Sequence, residues 1–171
     1  MKKKLRIVMT LLLFVSVFYL SRQGAALEEQ YTAALSNPSS PVVVLDAGHG
    51  HNDPGKIGTD GALEKDINLS ITKYLQNYLE ESGIAVILTR EDDSPLYQES
   101  DSNKKRGDMK TRISKIENAN PAVTVSIHQN SYPDPAVLGP QVFYYTTSAE
   151  GKSLAECIQN NFTYAVGDKN T

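Results

Sequence analysis

The chain has 171 residues, 40% hydrophobic and 22% charged, which fits one globular domain behind an N-terminal leader and leaves no room for two full cores. Its formal charge is −3, and four cations lie within residues 2–6, so the remainder carries −7 and lacks the clustered Lys and Arg of a nucleic-acid partner. The one cysteine, Cys157, cannot form an internal disulfide, so stability rests on the core, with a metal as the other available staple.

The chain opens with basic residues at positions 2–6, an apolar stretch from Ile7 to Leu20, and the small residues Gly24, Ala25 and Ala26. That order reads as a secretory signal over residues 1–26, cleaved after Ala26 or retained as a membrane anchor with its basic end inside. The apolar stretch is shorter than the roughly 18 residues of a comfortable span. Either form places the domain outside the cytoplasm. Residues 27–40 are polar and end in Asn37-Pro38-Ser39-Ser40, which predicts a linker.

Val42-Val43-Val44-Leu45 is a short β-branched run and predicts a buried strand. A glycine-rich loop leads into a helix with the stripe Leu63, Ile67, Ile71, Leu75 and Leu79, widened by Tyr74 and Tyr78, with Gly83 just past its end. Residues 84–89 predict a second strand and residues 90–103 a long surface loop. A helix over about 104–118 turns Met109, Ile113 and Ile116 to one side; residues 122–127 predict a third strand and 141–145 a fourth, with Tyr144 and Tyr145 on opposite faces. Leu154, Ala155, Ile158 and Phe162 mark a last helix, with Cys157 expected as a small buried hydrophobe in its stripe. Strands alternating with helices predict an α/β fold: a mostly parallel twisted sheet with helices on both faces, starting at Pro41.

In such sheets ligands gather beyond the carboxyl ends of the strands. His49 follows the first strand, His128 ends the third, and Glu64 opens the helix leaving the His49 loop. Two imidazoles and a carboxylate are the ligand set of a catalytic zinc that keeps one position open. Singly, each has a plainer reading: a hydrogen-bonded histidine at a strand end, or a glutamate serving the helix dipole. Their joint placement points to a zinc hydrolase. His51 offers a second ring in the same loop, and a three-histidine site fits the composition too. Asp46 is a candidate to orient a ligand imidazole or to cap loop amides. Arg90 and Arg112 suit a substrate carboxylate or a bridge between loop and helix. A phosphate site on the Gly48–Gly61 loop is disfavoured by the absence of a Lys-Ser/Thr ending.

Asp46-Ala47-Gly48-His49-Gly50, Glu64-Lys65 with Asn68-Leu69, Thr89-Arg90, Arg112 with Asn118-Ala119-Asn120, and Ser126-Ile127-His128-Gln129-Asn130 resemble the zinc-dependent N-acetylmuramoyl-L-alanine amidases. The resemblance runs from about Val42 to Phe162. Residues 139–145 and the short leader look most like the germination-specific spore-cortex members. It implies an amidase domain over residues 41–171, one zinc on His49, Glu64 and His128, and hydrolysis of the amide between muramic acid and L-alanine in peptidoglycan. It also implies Asn130 as a substrate or supporting residue, peptidoglycan as partner, and an activating protein as a further partner. The family has Pro at the position of Ala47 and Gly at that of His51. Its general-base glutamate sits on a further strand, expected beyond Thr171, which leaves the catalytic base unassigned among these residues. A non-catalytic wall-binding module is the alternative that this implies.

Overall fold

The computed structural model describes residues 2–36, 41–134, 137 and 139–166. They divide into two compact units, Met1–Ile127 and His128–Thr171. The first unit runs α1 (Lys2–Ser36), β1 (Val42–Ala47), α2 (Glu64–Glu81), β2 (Ala85–Leu88), α3 (Lys104–Ala119) and β3 (Val123–Ile127); the second holds α4 (Ala149–Val166).

The first helix runs into the segment expected as a linker. It continues to Ser36, because residues 27–36 are rich in Leu, Glu, Gln and Ala, which lose little freedom in a helix; residues 37–40 lie outside the described set. Since the helix does not stop at Leu20, Met9–Ala26 becomes long and apolar enough to cross a membrane, by length and composition.

The sheet is parallel throughout, in the order β2-β1-β3. Its central strand explains the unbroken apolar run: Val44, Leu45 and Ala47 are fully buried. Leu45, Val86 and Leu88 form the core, joined by Val43, Val125 and, from α2, Leu75 and Leu79. On the opposite face Asp46 meets Arg112 of α3, so helices cover both faces. The α/β fold with a parallel sheet follows the reading of the alternating pattern.

Helix α2 is rotated from the expected stripe. Leu75 and Leu79 pack inward, but Ile67 and Ile71 are 38% and 42% exposed and Tyr74 and Tyr78 more so, while Asn68 and Thr72 are fully buried. The buried polar pair is satisfied: Asn68 Nδ2 donates to the Gly48 carbonyl at 3.1 Å and Thr72 Oγ1 to the Asn68 carbonyl at 2.7 Å. Helix α3 differs likewise, burying Gly107 and Arg112 while Met109 and Ile113 are half exposed.

In the second unit, residues 141–145 form no strand. Their neighbourhood bonds to a side chain instead of a ladder: the Val142 amide donates to Gln159 Oε1 at 2.9 Å, and Gln159 Nε2 donates to the Pro140 carbonyl at 3.1 Å. Tyr144 and Tyr145 are both exposed, so neither enters a core. In α4 only Ala155 of the expected stripe is buried, and Cys157 is exposed rather than buried.

Candidate metal centre

Strand β1 delivers its last residues into a loop whose carbonyls are held by two guanidinium groups. Arg90 Nε and Arg112 Nη1 each donate to the Ala47 carbonyl at 2.8 Å; Arg90 Nη2 donates to Gly48 at 3.2 Å and to Lys65 at 2.7 Å; Arg112 Nη2 donates to His49 at 2.6 Å. Both arginines are 3% exposed. They bridge loop and helix: the described bonds of Arg90 go to main chain, and those of Arg112 go to main chain and to the side chains of Asp46, Asp108 and Thr89.

Asp46 is the second anchor. It accepts from Thr89 Oγ1, Arg112 Nη1 and Ser126 Oγ, each at 2.6 Å, tying all three strands to α3. Burial pushes its carboxyl up, but the hydrogen bonds from Ser126, Thr89 and Arg112 and the guanidinium charge outweigh burial and leave it below the ordinary value. Its described hydrogen bonds come from side chains at the strand ends and on α3. Burial lowers the Arg112 proton affinity, while Asp108 and Asp46 outweigh burial and raise it.

The loop then doubles back. Gly50 and Asp53 exchange amide-to-carbonyl bonds at 3.0 Å in both directions, and His49 and His51 take positive φ of 63° and 49°. Left-handed backbone is uncommon for such residues and marks a turn held by its surroundings. The turn brings Asp53 Oδ2 to 3.1 Å from His49 Nδ1 and points Nε2 to 3.2 Å from Glu64 Oε1. Burial raises the Asp53 carboxyl, but bonds from His49, Gly55 and Lys105 bring it down to about 2, so it stays ionised. Asp53, which the sequence reading did not single out, thus faces the outer nitrogen of His49. Its position four residues after His49 in a glycine-rich loop was the only available signal.

Glu64 starts α2, and its second oxygen accepts from the Lys56 amide at 2.7 Å. No side chain caps this helix; the amides of Glu64 and Lys65 instead reach the carbonyls of Lys56 and Pro54 at 3.0 and 3.1 Å. Gly55 makes that close passage feasible: at φ +68°, a Cβ there would sit 2.7 Å from both Glu64 Oε2 and His49 Cδ2. Lys65 reaches the His51 carbonyl at 2.9 Å and Asp93 at 2.6 Å, fixing the loop after Arg90.

His128 follows β3 directly. One ligand atom each from His49, Glu64 and His128 lies within 4.8 Å of the others, so the three predicted residues come together. The 3.2 Å His49–Glu64 separation is close to the edge of about 3.3 Å for a tetrahedron with bonds near 2.0 Å. Two imidazoles and a carboxylate, with Asp53 on the outer nitrogen of His49, suit a zinc-like divalent ion. The other predicted residues stay outside this group: the His51 amide binds Asp93 at 2.6 Å with its ring edge-on to Tyr97, and Asn130 Nδ2 donates to Gln141 at 2.9 Å.

Comparison with known proteins gives one consistent answer. The family model described as N-acetylmuramoyl-L-alanine amidase matches residues 43–171. The germination-specific N-acetylmuramoyl-L-alanine amidase of Bacillus subtilis is 33% identical over 163 residues, covering 94% of this chain and 68% of that protein. The amidase LytC of the same organism is 30% identical, covering 91% of this chain and 29% of its own length. Among solved structures, the CwlD amidase from Clostridioides difficile, in complex with the GerS lipoprotein, superposes with a TM-score of 0.72 at 41% identity, covering 77% of this chain and 70% of that one.

Proposed function

The chain belongs to the N-acetylmuramoyl-L-alanine amidase family, and from that premise we propose that it is a zinc-dependent hydrolase of the amide bond between N-acetylmuramic acid and L-alanine in peptidoglycan. The observation that carries the proposal is the gathering of His49, Glu64 and His128 within 4.8 Å.

In this reading the two imidazoles and the Glu64 carboxylate hold the ion and leave a net charge of +1. Zinc bound there supplies a Lewis acid for the scissile carbonyl and lowers the pKa of water toward about 7. Asp53 keeps a proton on His49 Nδ1, so Nε2 presents its lone pair. The Lys56 amide holds Glu64 Oε2 and aims Oε1 at His49. Arg90 and Arg112 keep the loop carbonyls in place, so the donors need little rearrangement when the metal arrives.

The germination-specific relative supports a role in the spore cortex, and the apolar span Met9–Ala26 supports a location on the wall side of the membrane, secreted or anchored. The complex formed by the Clostridioides relative supports engagement of this chain by a protein partner.

The test uses the full chain loaded with zinc and purified muropeptides. New peptide amino termini beginning with alanine are expected, lost on chelation and restored by zinc, and His128→Ala is expected to bind far less than one zinc per chain. Turnover indifferent to chelator, or normal zinc content in His128→Ala, overturns the assignment.

A further inference from the structure

A groove of about 340 Å³ opens beside His49, within the first unit. Its walls include Asn52, Asp53, Tyr97, Lys104 and Lys105. The volume lies at the lower end of the range for small-molecule sites.

Its two lysines differ. Lys104 is part of the wall: its ammonium donates to the carbonyls of Gln98 and Glu99 at 3.2 and 2.7 Å and stands 5.0 Å from the centre of the Tyr97 ring. Lys105 is a solvent-facing charge, 76% exposed, whose ammonium lies 3.3 Å from Asp53 Oδ2. A pair this exposed contributes little to stability, so exchanging Asp53 for a ligand carboxylate costs little. Asp108, also on the groove, is engaged by Arg112 at 2.7 Å, so it does not oppose an incoming anion with a bare charge. Tyr97 accepts from Asn52 Nδ2 at 2.7 Å, which orients its own O–H as a donor. The first turn of α3 carries Lys104, Lys105 and Arg106 with no acidic residue, a placement the helix dipole disfavours. In the groove the two lysines stand with the carboxylates of Asp53 and Asp108, and Lys104 also meets Glu99 Oε2 at 3.1 Å, so Lys105 is the cation there with the loosest engagement.

We propose that this groove receives the carboxylate-bearing peptide side of the substrate, with Lys105 as the residue that selects for negative charge. This rests on the amidase reading for the identity of the peptide: the muramoyl carboxyl is tied up in the scissile amide and its N-acetylated sugar is uncharged, so the free carboxylates lie on the peptide. The groove shares His49 with the metal centre, so an anion held by Lys105 sits within a short peptide's reach of the bond to be cut.

The test is calorimetric titration of the zinc-loaded full chain with the dipeptide L-alanyl-D-glutamate and with its diamide. The acid is expected to bind about tenfold more tightly. That preference is expected to disappear in Lys105→Gln, to survive in Lys105→Arg and in Lys73→Gln, an exposed position of α2 outside the groove lining, and zinc content is expected to be unchanged in all of them. Equal affinity for acid and diamide, or a preference that persists in Lys105→Gln, overturns the proposal. A chain that loads zinc and cleaves muropeptides without the preference refutes the groove alone. One that keeps the Lys105-dependent preference yet neither loads zinc nor cleaves muropeptides upholds the groove and rejects the amidase reading.

Discussion

His49 Nδ1 stands 3.1 Å from Asp53 Oδ2, four residues away along a turn that has reversed direction between them. The carboxylate holds the ring so that its other nitrogen faces Glu64. Asp53→Asn is therefore expected to weaken zinc binding by about 10–100-fold while leaving the urea midpoint of the metal-free chain nearly unchanged, because the pair is partly exposed. Competition against a chromophoric chelator measures this, and a wild-type dissociation constant in the variant would remove Asp53 from the site.

Gly55→Ala tests the close passage of the loop over Glu64. A methyl group there meets Glu64 and His49 at 2.7 Å in a left-handed backbone, so stability is expected to fall by about 2–3 kcal/mol and bound zinc to drop with it. Chemical denaturation and metal analysis read the two effects. Full zinc occupancy in Gly55→Ala would show that the loop can retreat.

Arg112→Met leaves Asp46 and Asp108 without their cation and the His49 carbonyl without its donor. Removing one partner from a buried network costs about 3–5 kcal/mol, so a loss near 3 kcal/mol is expected. Arg112→Lys is expected to recover only part of it, since an ammonium cannot span Asp46, Asp108 and the main chain together. Urea midpoints of the two variants order them, and equal stability would contradict a role for the fork.

Acid titration isolates Asp46. Its folded carboxyl lies below the ordinary value of 3.8, so its contribution is fully present above that value and is lost as pH falls through the lower, folded one. Asp46→Asn is expected to destabilise the chain at pH 7 and to converge with the wild type as pH drops below about 3.8. Parallel stability curves across that window would exclude Asp46 as the titrating group.

The elements and the candidate ligand set are legible from the residues for one reason: both depend on short stretches. A β-branched run marks β1, spacing of three and four marks the helices, and the end of a strand in an α/β sheet marks where His49 and His128 emerge. Misreadings arose where side chains meet across long separations. Helix α2 turns Asn68 and Thr72 inward and Ile67 outward, and Asn68 joins Arg90 in donating to the Gly48 carbonyl, a long-range contact that periodicity does not encode. Residues 141–145 have strand-like composition, yet the Gln159 side chain supplies their neighbourhood's bonds.

The parallel α/β frame, and His49, Glu64 and His128 as a candidate ligand set, are readable from the order of residues, because hydrophobic period and strand ends are properties of local chain. Three-dimensional packing sets Asp53 against His49 Nδ1, ties the strands to α3 through Asp46, and places Arg90 and Arg112 on the loop carbonyls. Asp46 and Arg112 are 66 residues apart and meet only after β1 and α3 have packed. Such pairings follow from packing and from satisfying buried polar groups, and neither is written in the order of residues along one element.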